Sequence, residues 1–168
     1  MKNAGLILIF LSSLVFGFEM NRPGKQRIEL LEKLCRSLEL LHAEMSSRPG
    51  SIEALCSLLA ADISGAAEFF GKITENMDKL GNQSFQEIWT TCIETKLSYL
   101  NSDDQYAMKS LGAVLGSYEL SEQLASISAC RNRLYNNLVE LKAVYPANRK
   151  MYLGISCSVG AMLILVLI

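Results

Sequence analysis

The sequence predicts an all-α protein: a six-helix bundle carried between an N-terminal and a C-terminal transmembrane helix. Three observations predict it. Uncharged, apolar runs occupy residues 4–18 and 151–168. Between them, apolar residues recur at 3- and 4-residue steps, which places them on single helical faces. No run alternates with period two, and β-branched clusters are few, so strands are not expected. Three ranges follow: a transmembrane helix over 1–20, a helical bundle over 21–150, and a transmembrane helix over 151–168.

The terminal runs differ in strength. Residues 4–18 make only about 22 Å of helix, short for a hydrocarbon core of about 30 Å; residues 1–20 reach that span. A signal peptide is the rival reading, but Val15-Phe16-Gly17 lacks the small residues that cleavage prefers. Residues 151–168 have no polar face to meet water, which argues against a buried core helix. Small residues four apart, Ser13 and Gly17 in the first run, Gly154 and Ser158 or Ser156 and Gly160 in the second, allow close helix approach.

All 17 acidic residues, and every basic residue except Lys2, lie between Glu19 and Lys150. That near-balance offers no concentrated basic face for nucleic acid. Arg22, Lys25, Arg27, Lys142, Arg149 and Lys150 flank the two apolar runs on the insert side. Basic residues stay on the cytoplasmic side, so the insert is expected in the cytoplasm and both termini across the membrane. Cys35, Cys56, Cys92 and Cys130 form no C-x-x-C pair; in a reducing compartment they pack as small apolar groups.

The helices are read in order. The chain turns at Arg22-Pro23-Gly24, and the first helix covers 25–45. Its stripe is Ile28, Leu31, Leu34, Leu38, Leu41 and Met45. Pro49-Gly50 breaks it. Ser51 caps the second helix, whose inward set is Ala54, Leu55, Leu58 and Leu59. The third covers 66–80 with Phe69, Phe70, Ile73 and Met77 inward, and stops at Gly81-Asn82. Ser84 caps the fourth, with Glu87 at capping-box spacing and Phe85, Ile88, Trp89, Cys92 and Leu97 inward. The fifth starts at Asn101-Ser102-Asp103 and covers 103–115. The sixth starts near Glu119; Leu120, Leu124, Ile127, Leu134, Leu138 and Leu141 form its stripe. Arg131 takes one step where an apolar residue is expected. It snorkels, pairs with a carboxylate, or marks a contact site. Tyr145-Pro146 interrupts this helix before the second span. Since the first and last helices both meet the membrane, they are expected side by side and antiparallel.

No chemistry is expected. Residues 65–73 mimic a phosphate loop, but the spacing is one residue too long. Ile73 also stands where a hydroxyl is needed, and no strand precedes. His42 is the only histidine and lacks the further ligands of a zinc site. No nucleophile, base and orienting group form a set. Glu29, Glu32, Lys33 and Arg36 read as a solvated helix face. Asn82-Gln83-Ser84 matches a glycosylation sequon, which a cytoplasmic loop does not use. Catalytic, cofactor and metal residues are therefore none. A docking module is expected, with a generic membrane-anchored adaptor or an exported domain with a cleaved signal as alternatives.

Four stretches, in order, carry a family resemblance. They are Gly17-Phe18-Glu19 leading to Arg22-Pro23; Leu34, Leu38, Leu41, Glu44 and Met45; Leu115-Gly116 followed by Glu119 and Gln123; and residues 148–154 leading into the C-terminal run. Trp89 falls where that family tends to have a tryptophan. Across its whole length the chain resembles stage III sporulation protein AB of endospore-forming bacteria. It departs in a short linker from Glu19 to Arg22, in Arg48-Pro49-Gly50 after the first helix, and in Glu119 where Asp is more usual. The family is similar to the cytoplasmic domain of the type II secretion platform protein F. The resemblance implies a non-enzymatic membrane platform in the mother-cell membrane around the forespore. It implies partners too: the other stage III sporulation proteins of the channel complex, especially the ATPase stage III sporulation protein AA, with room for a homo-oligomer. Rim charges govern encounter and orientation, and Arg22, Glu44, Arg48 and Arg131 are the candidate partner-binding residues.

Overall fold

The computed structural model describes residues 22–48, 50–115 and 119–167; within 147–167 it describes side chains only at 151, 154, 155, 158 and 162. Six α-helices occur among these residues: α1 (Arg22–Ser47), α2 (Ile52–Ala61), α3 (Ala67–Asn76), α4 (Phe85–Lys96), α5 (Ser102–Val114) and α6 (Leu120–Leu167). A 3-10 turn, Met77–Lys79, extends α3, and no strand is present among the described residues. The protein is all-helical, as expected.

Local chemistry sets most helix starts. The Ser51 hydroxyl accepts from Ala54 N at 3.3 Å. At α4 the capping box is complete: Glu87 N donates to Ser84 Oγ at 3.3 Å, and Ser84 N donates to Glu87 Oε2 at 3.0 Å. Asn101 caps α5 by accepting from Asp104 N at 2.8 Å. Each bond satisfies an N–H that the first helical turn would leave orphaned. Gly81, with φ +118°, ends the segment after α3, where only glycine is at ease.

Four expectations are corrected. The first helix begins at Arg22, so Arg22-Pro23-Gly24 is its first turn and not a bend before it. Proline is suited there, because its missing N–H is one the first turn leaves unbonded anyway. In α2 the buried set is Leu55, Cys56 and Leu59, while Ala54 and Leu58 are exposed. Cys56 takes the inward place that hydrophobicity alone assigned to Leu58. The third helix loses α geometry after Asn76 and tightens into the 3-10 turn. Finally, Tyr145-Pro146 does not end the sixth helix: α6 runs 48 residues with Pro146 inside it. Pro146 withholds one N–H from the ladder, a cost of about 3 kcal/mol. The turns on either side keep their own bonds, so a helix of this length carries the defect.

Among the described residues no helix is long and apolar enough to cross a membrane. The span expected over 1–20 lies outside the described residues. The one expected over 151–168 is helical from 151 to 167.

The chain divides into two compact units, one of residues 29–138 and one of residues 1–28 with 139–168. In the larger, α2 packs on α3, α3 on α4, and α4 on α5. Trp89 lies at its centre, fully buried. Phe69 meets the indole edge-on at 5.0 Å between ring centroids, and Phe85 approaches to 5.6 Å. Leu31, Leu34, Leu38 and Leu41 of α1 are buried, so the leucine stripe is core. Within this unit α1 and α6 lie antiparallel. Cys35 shares a groove with Tyr135 and Leu138, Glu39 pairs with Arg131, and His42 shares a cavity with Ile127 and Ser128. In the smaller unit, a Cβ on Gly24 would lie 3.1 Å from Tyr145 Cε2. That glycine lets α1 and α6 approach closely.

Candidate docking groove

The largest concavity of the 29–138 unit is a groove of about 570 Å³ between α1, α6 and the turn joining α2 to α3. Leucine spacing on α1 sets it up. With Leu31, Leu34, Leu38 and Leu41 turned inward, the intervening Glu32, Arg36 and Glu39 stand along the exposed edge of the same helix. Across the groove stands Arg131, the one charge that breaks the α6 stripe.

Two ion pairs fix its walls. Arg131 Nη1 donates to Glu39 Oε1 at 2.6 Å, and Arg131 Nη2 donates to Asn132 Oδ1 at 2.9 Å. Of the three readings of Arg131, pairing with a carboxylate is the one found. At the other end Arg36 Nε lies 3.7 Å from Asp62 Oδ2. Asp62 also accepts from the Ser64 hydroxyl and from Ser64 N. The Ser64 bonds, more than Arg36, hold its carboxyl below the usual carboxylate range. These groups are largely exposed, so each pair contributes about 0–1 kcal/mol. The groove is a patterned polar surface and not a desolvated catalytic cleft.

Beneath it lie two buried polar contacts. Ala66 N donates to Ser37 Oγ at 2.8 Å, which ties the start of α3 to α1. A Cβ on Gly65 would fall 2.5 Å from that oxygen, so the turn needs glycine to come so near. Asp104, fully buried on α5, accepts from Asn137 Nδ2 of α6.

The cysteines are free thiols; Cys56, Cys92 and Cys130 are buried and Cys35 half-buried. Burial pushes the Cys35 thiol up to about 11 and those of Cys56 and Cys130 up to about 12. Thiols held neutral this firmly are poor nucleophiles and poor metal ligands. Among the described residues no cluster of three or more His, Cys, Asp or Glu side chains could hold a metal ion. His42 borders a smaller cavity of about 220 Å³ beside Glu39 and Arg131.

The four residues singled out from sequence do not form one site. Arg22 is the first residue of α1. Glu44 is half-buried, and its carbonyl accepts from Arg48 N at 2.8 Å just past the helix end. Arg48 is exposed there, whereas Arg131 lies in the groove. Sequence reading missed Glu39, Asp62 and Tyr135 as groove residues. A charged break in the α6 stripe was the available signal: it demanded a carboxylate on whichever helix faces it.

The stage III sporulation protein AB family matches the chain over residues 2–168. No curated protein and no solved structure matches it.

Proposed function

Because the chain belongs to the stage III sporulation protein AB family, a sporulation family, we propose that it is a non-enzymatic membrane platform of the mother cell–forespore channel complex. In this reading residues 1–20 and 151–168 span the mother-cell membrane around the forespore. The helical head stands in the mother-cell cytoplasm, and both termini lie across the membrane. The head anchors a secretion-type ATPase, stage III sporulation protein AA, and contacts other stage III sporulation proteins.

The observation that carries this reading is the family match across both uncharged ends and the helical part between them. Positive charge at Arg22, Lys25 and Arg27 supports a cytoplasmic head. The groove suits a docking role: its charges are presented on rigid helices and cost little to desolvate at a rim. Arg48 is the best placed of the proposed contacts, being exposed at the end of α1. Arg131 already holds Glu39, so it would have to exchange partners to bind.

The experiment is co-purification of the full-length protein, in detergent, with the ATPase. The intact protein should retain the ATPase, and Arg48→Glu should weaken retention several-fold. No retention by the intact protein sinks the partner assignment. Orientation is tested separately by Ser47→Cys, since Ser47 is exposed while Cys56 is buried. An impermeant thiol reagent should label it only after cells are opened; labelling of intact cells places the head outside.

A further inference from the structure

Residues 1–21 lead into α1, and where they lead in is informative. Gly24 sits in the first turn of α1, against the ring of Tyr145 on α6. A Cβ there would be 3.1 Å from Tyr145 Cε2 and 3.2 Å from Cδ2, so this is a glycine seat for a tyrosine ring. The residues before Gly24 therefore leave α1 beside α6, at a point from which α6 continues to Leu167.

The same seat recurs in the sequence. Seven residues before Gly24 stands Gly17, and seven residues after Tyr145 stands Tyr152. Seven residues fall about 20° short of two full helical turns, so each repeat stays on its own face. In an antiparallel pair the two displacements run the same way. Gly17 and Tyr152 then meet as Gly24 and Tyr145 do. Eleven residues on, Ser13 comes level with position 156, again within about 20° of the Tyr145 face at 3.6 residues per turn.

The opposite side of α6 is open. Gly154 is nine residues from Tyr145, about 180° round the helix. A Cβ on it meets nothing within 4 Å. Ser158 is exposed, its hydroxyl donating to the Gly154 carbonyl at 3.0 Å. Met151, Ile155 and Met162 on this side are half or more exposed. Of the two small-residue pairs in the C-terminal run, Gly154 with Ser158 thus faces away, and Ser156 with Gly160 shares the Tyr145 side.

We infer that residues 1–20 dock as a helix along the Tyr145 face of α6, with Gly17 seated on Tyr152 and Ser13 level with Ser156. The occupant is this chain's own leading segment. The Met151–Ile155–Met162 side is left to lipid. The inference rests on the proposed reading of 1–20 as a retained helix, but not on the ATPase.

Cysteine crosslinking of the full-length protein in membranes tests it. Cys157 is replaced by Ser, and a protease site is placed between Ser47 and Ser51. Ser13→Cys with Ser156→Cys should form a disulfide on mild oxidation. The two fragments should then stay joined after cleavage and part on reduction. Ser13→Cys with Ser158→Cys should not crosslink. Equal crosslinking at Ser158, crosslinking only between copies, or none at either position overturns the assignment. Loss of residues 1–20 from the mature protein by mass also overturns it. As a second readout, Gly17→Leu should lower the thermal midpoint by several degrees and Gly154→Leu should leave it unchanged; equal shifts count against the proposal. ATPase binding that fails while the crosslink forms rejects the partner and leaves the packing intact.

Discussion

The indole Nε1 of Trp89 donates to the carbonyl oxygen of Met108 at 2.7 Å, both groups buried between α4 and α5. That carbonyl lies inside a helix, where side chains normally screen it. It can be reached because Gly112 stands one turn on. A Cβ at Gly112 would fall 2.2 Å from Trp89 Cδ1. The chain thus uses one glycine to admit its only tryptophan.

Gly112→Ala should therefore destabilise the head strongly for so small a change, by about 3 kcal/mol, at the upper end of ordinary overpacking. Trp89→Phe removes the donor and some volume, and should cost about 2–4 kcal/mol. Urea unfolding followed by circular dichroism measures both. The double variant should lose less than the sum, because a smaller ring relieves the clash. Strict additivity would count against this packing.

Ser37 and Gly65 form a second coupled pair. Ser37→Ala leaves the buried Ala66 N–H without its acceptor and should cost about 1–3 kcal/mol. Gly65→Ala drives a Cβ into the Ser37 hydroxyl and should cost about 1–3 kcal/mol. Removing that hydroxyl first should make Gly65→Ala milder, a coupling that a double-mutant cycle reads directly.

The Glu39–Arg131 pair should contribute little to stability. A double-mutant cycle with Glu39→Gln and Arg131→Gln is expected to give about 0.5 kcal/mol, falling further in high salt. A coupling above about 2 kcal/mol would mean that the groove is far drier than its exposure indicates.

The thiols give a pH dependence. Folding raises Cys56 and Cys130 from an ordinary 9.0 to about 12. Desolvation favours the neutral thiol, so the folded state holds these protons more tightly than the unfolded chain. Their contribution is complete below about pH 9 and is lost as pH rises toward 12. Denaturant midpoints should thus decline through this alkaline range, and less so in Cys56→Ala/Cys130→Ala relative to its own value at pH 8. Alkylation at pH 8 should be slow in the native protein and fast once it unfolds.

Local order was legible because its causes are local. Ser51, Ser84 with Glu87, and Asn101 are capping signals read within four residues, and each cap forms as expected. The α1 leucine stripe and the Phe69, Phe70, Ile73 and Met77 face followed from period alone. The errors fall where distant groups decide. Leu58 and Cys56 compete for one buried direction on α2, and the neighbouring helix, not hydrophobicity, selects the thiol. Tyr145-Pro146 reads as a stop by itself, yet α6 continues through it.

The candidate groove was half legible. Arg131 stood out as a charge in an apolar stripe, but Glu39 looked like any solvated acid. Only the antiparallel packing of α1 and α6 put the two 2.6 Å apart.

By itself, then, the sequence determined the helices, their caps, the two uncharged ends and the family, since these depend on neighbours in the chain. Tertiary structure alone decided three contacts: Glu39 with Arg131, Gly112 beneath Trp89, and Gly24 as the seat of Tyr145. Each joins residues far apart in sequence, where close approach depends on which faces the packed helices turn to one another.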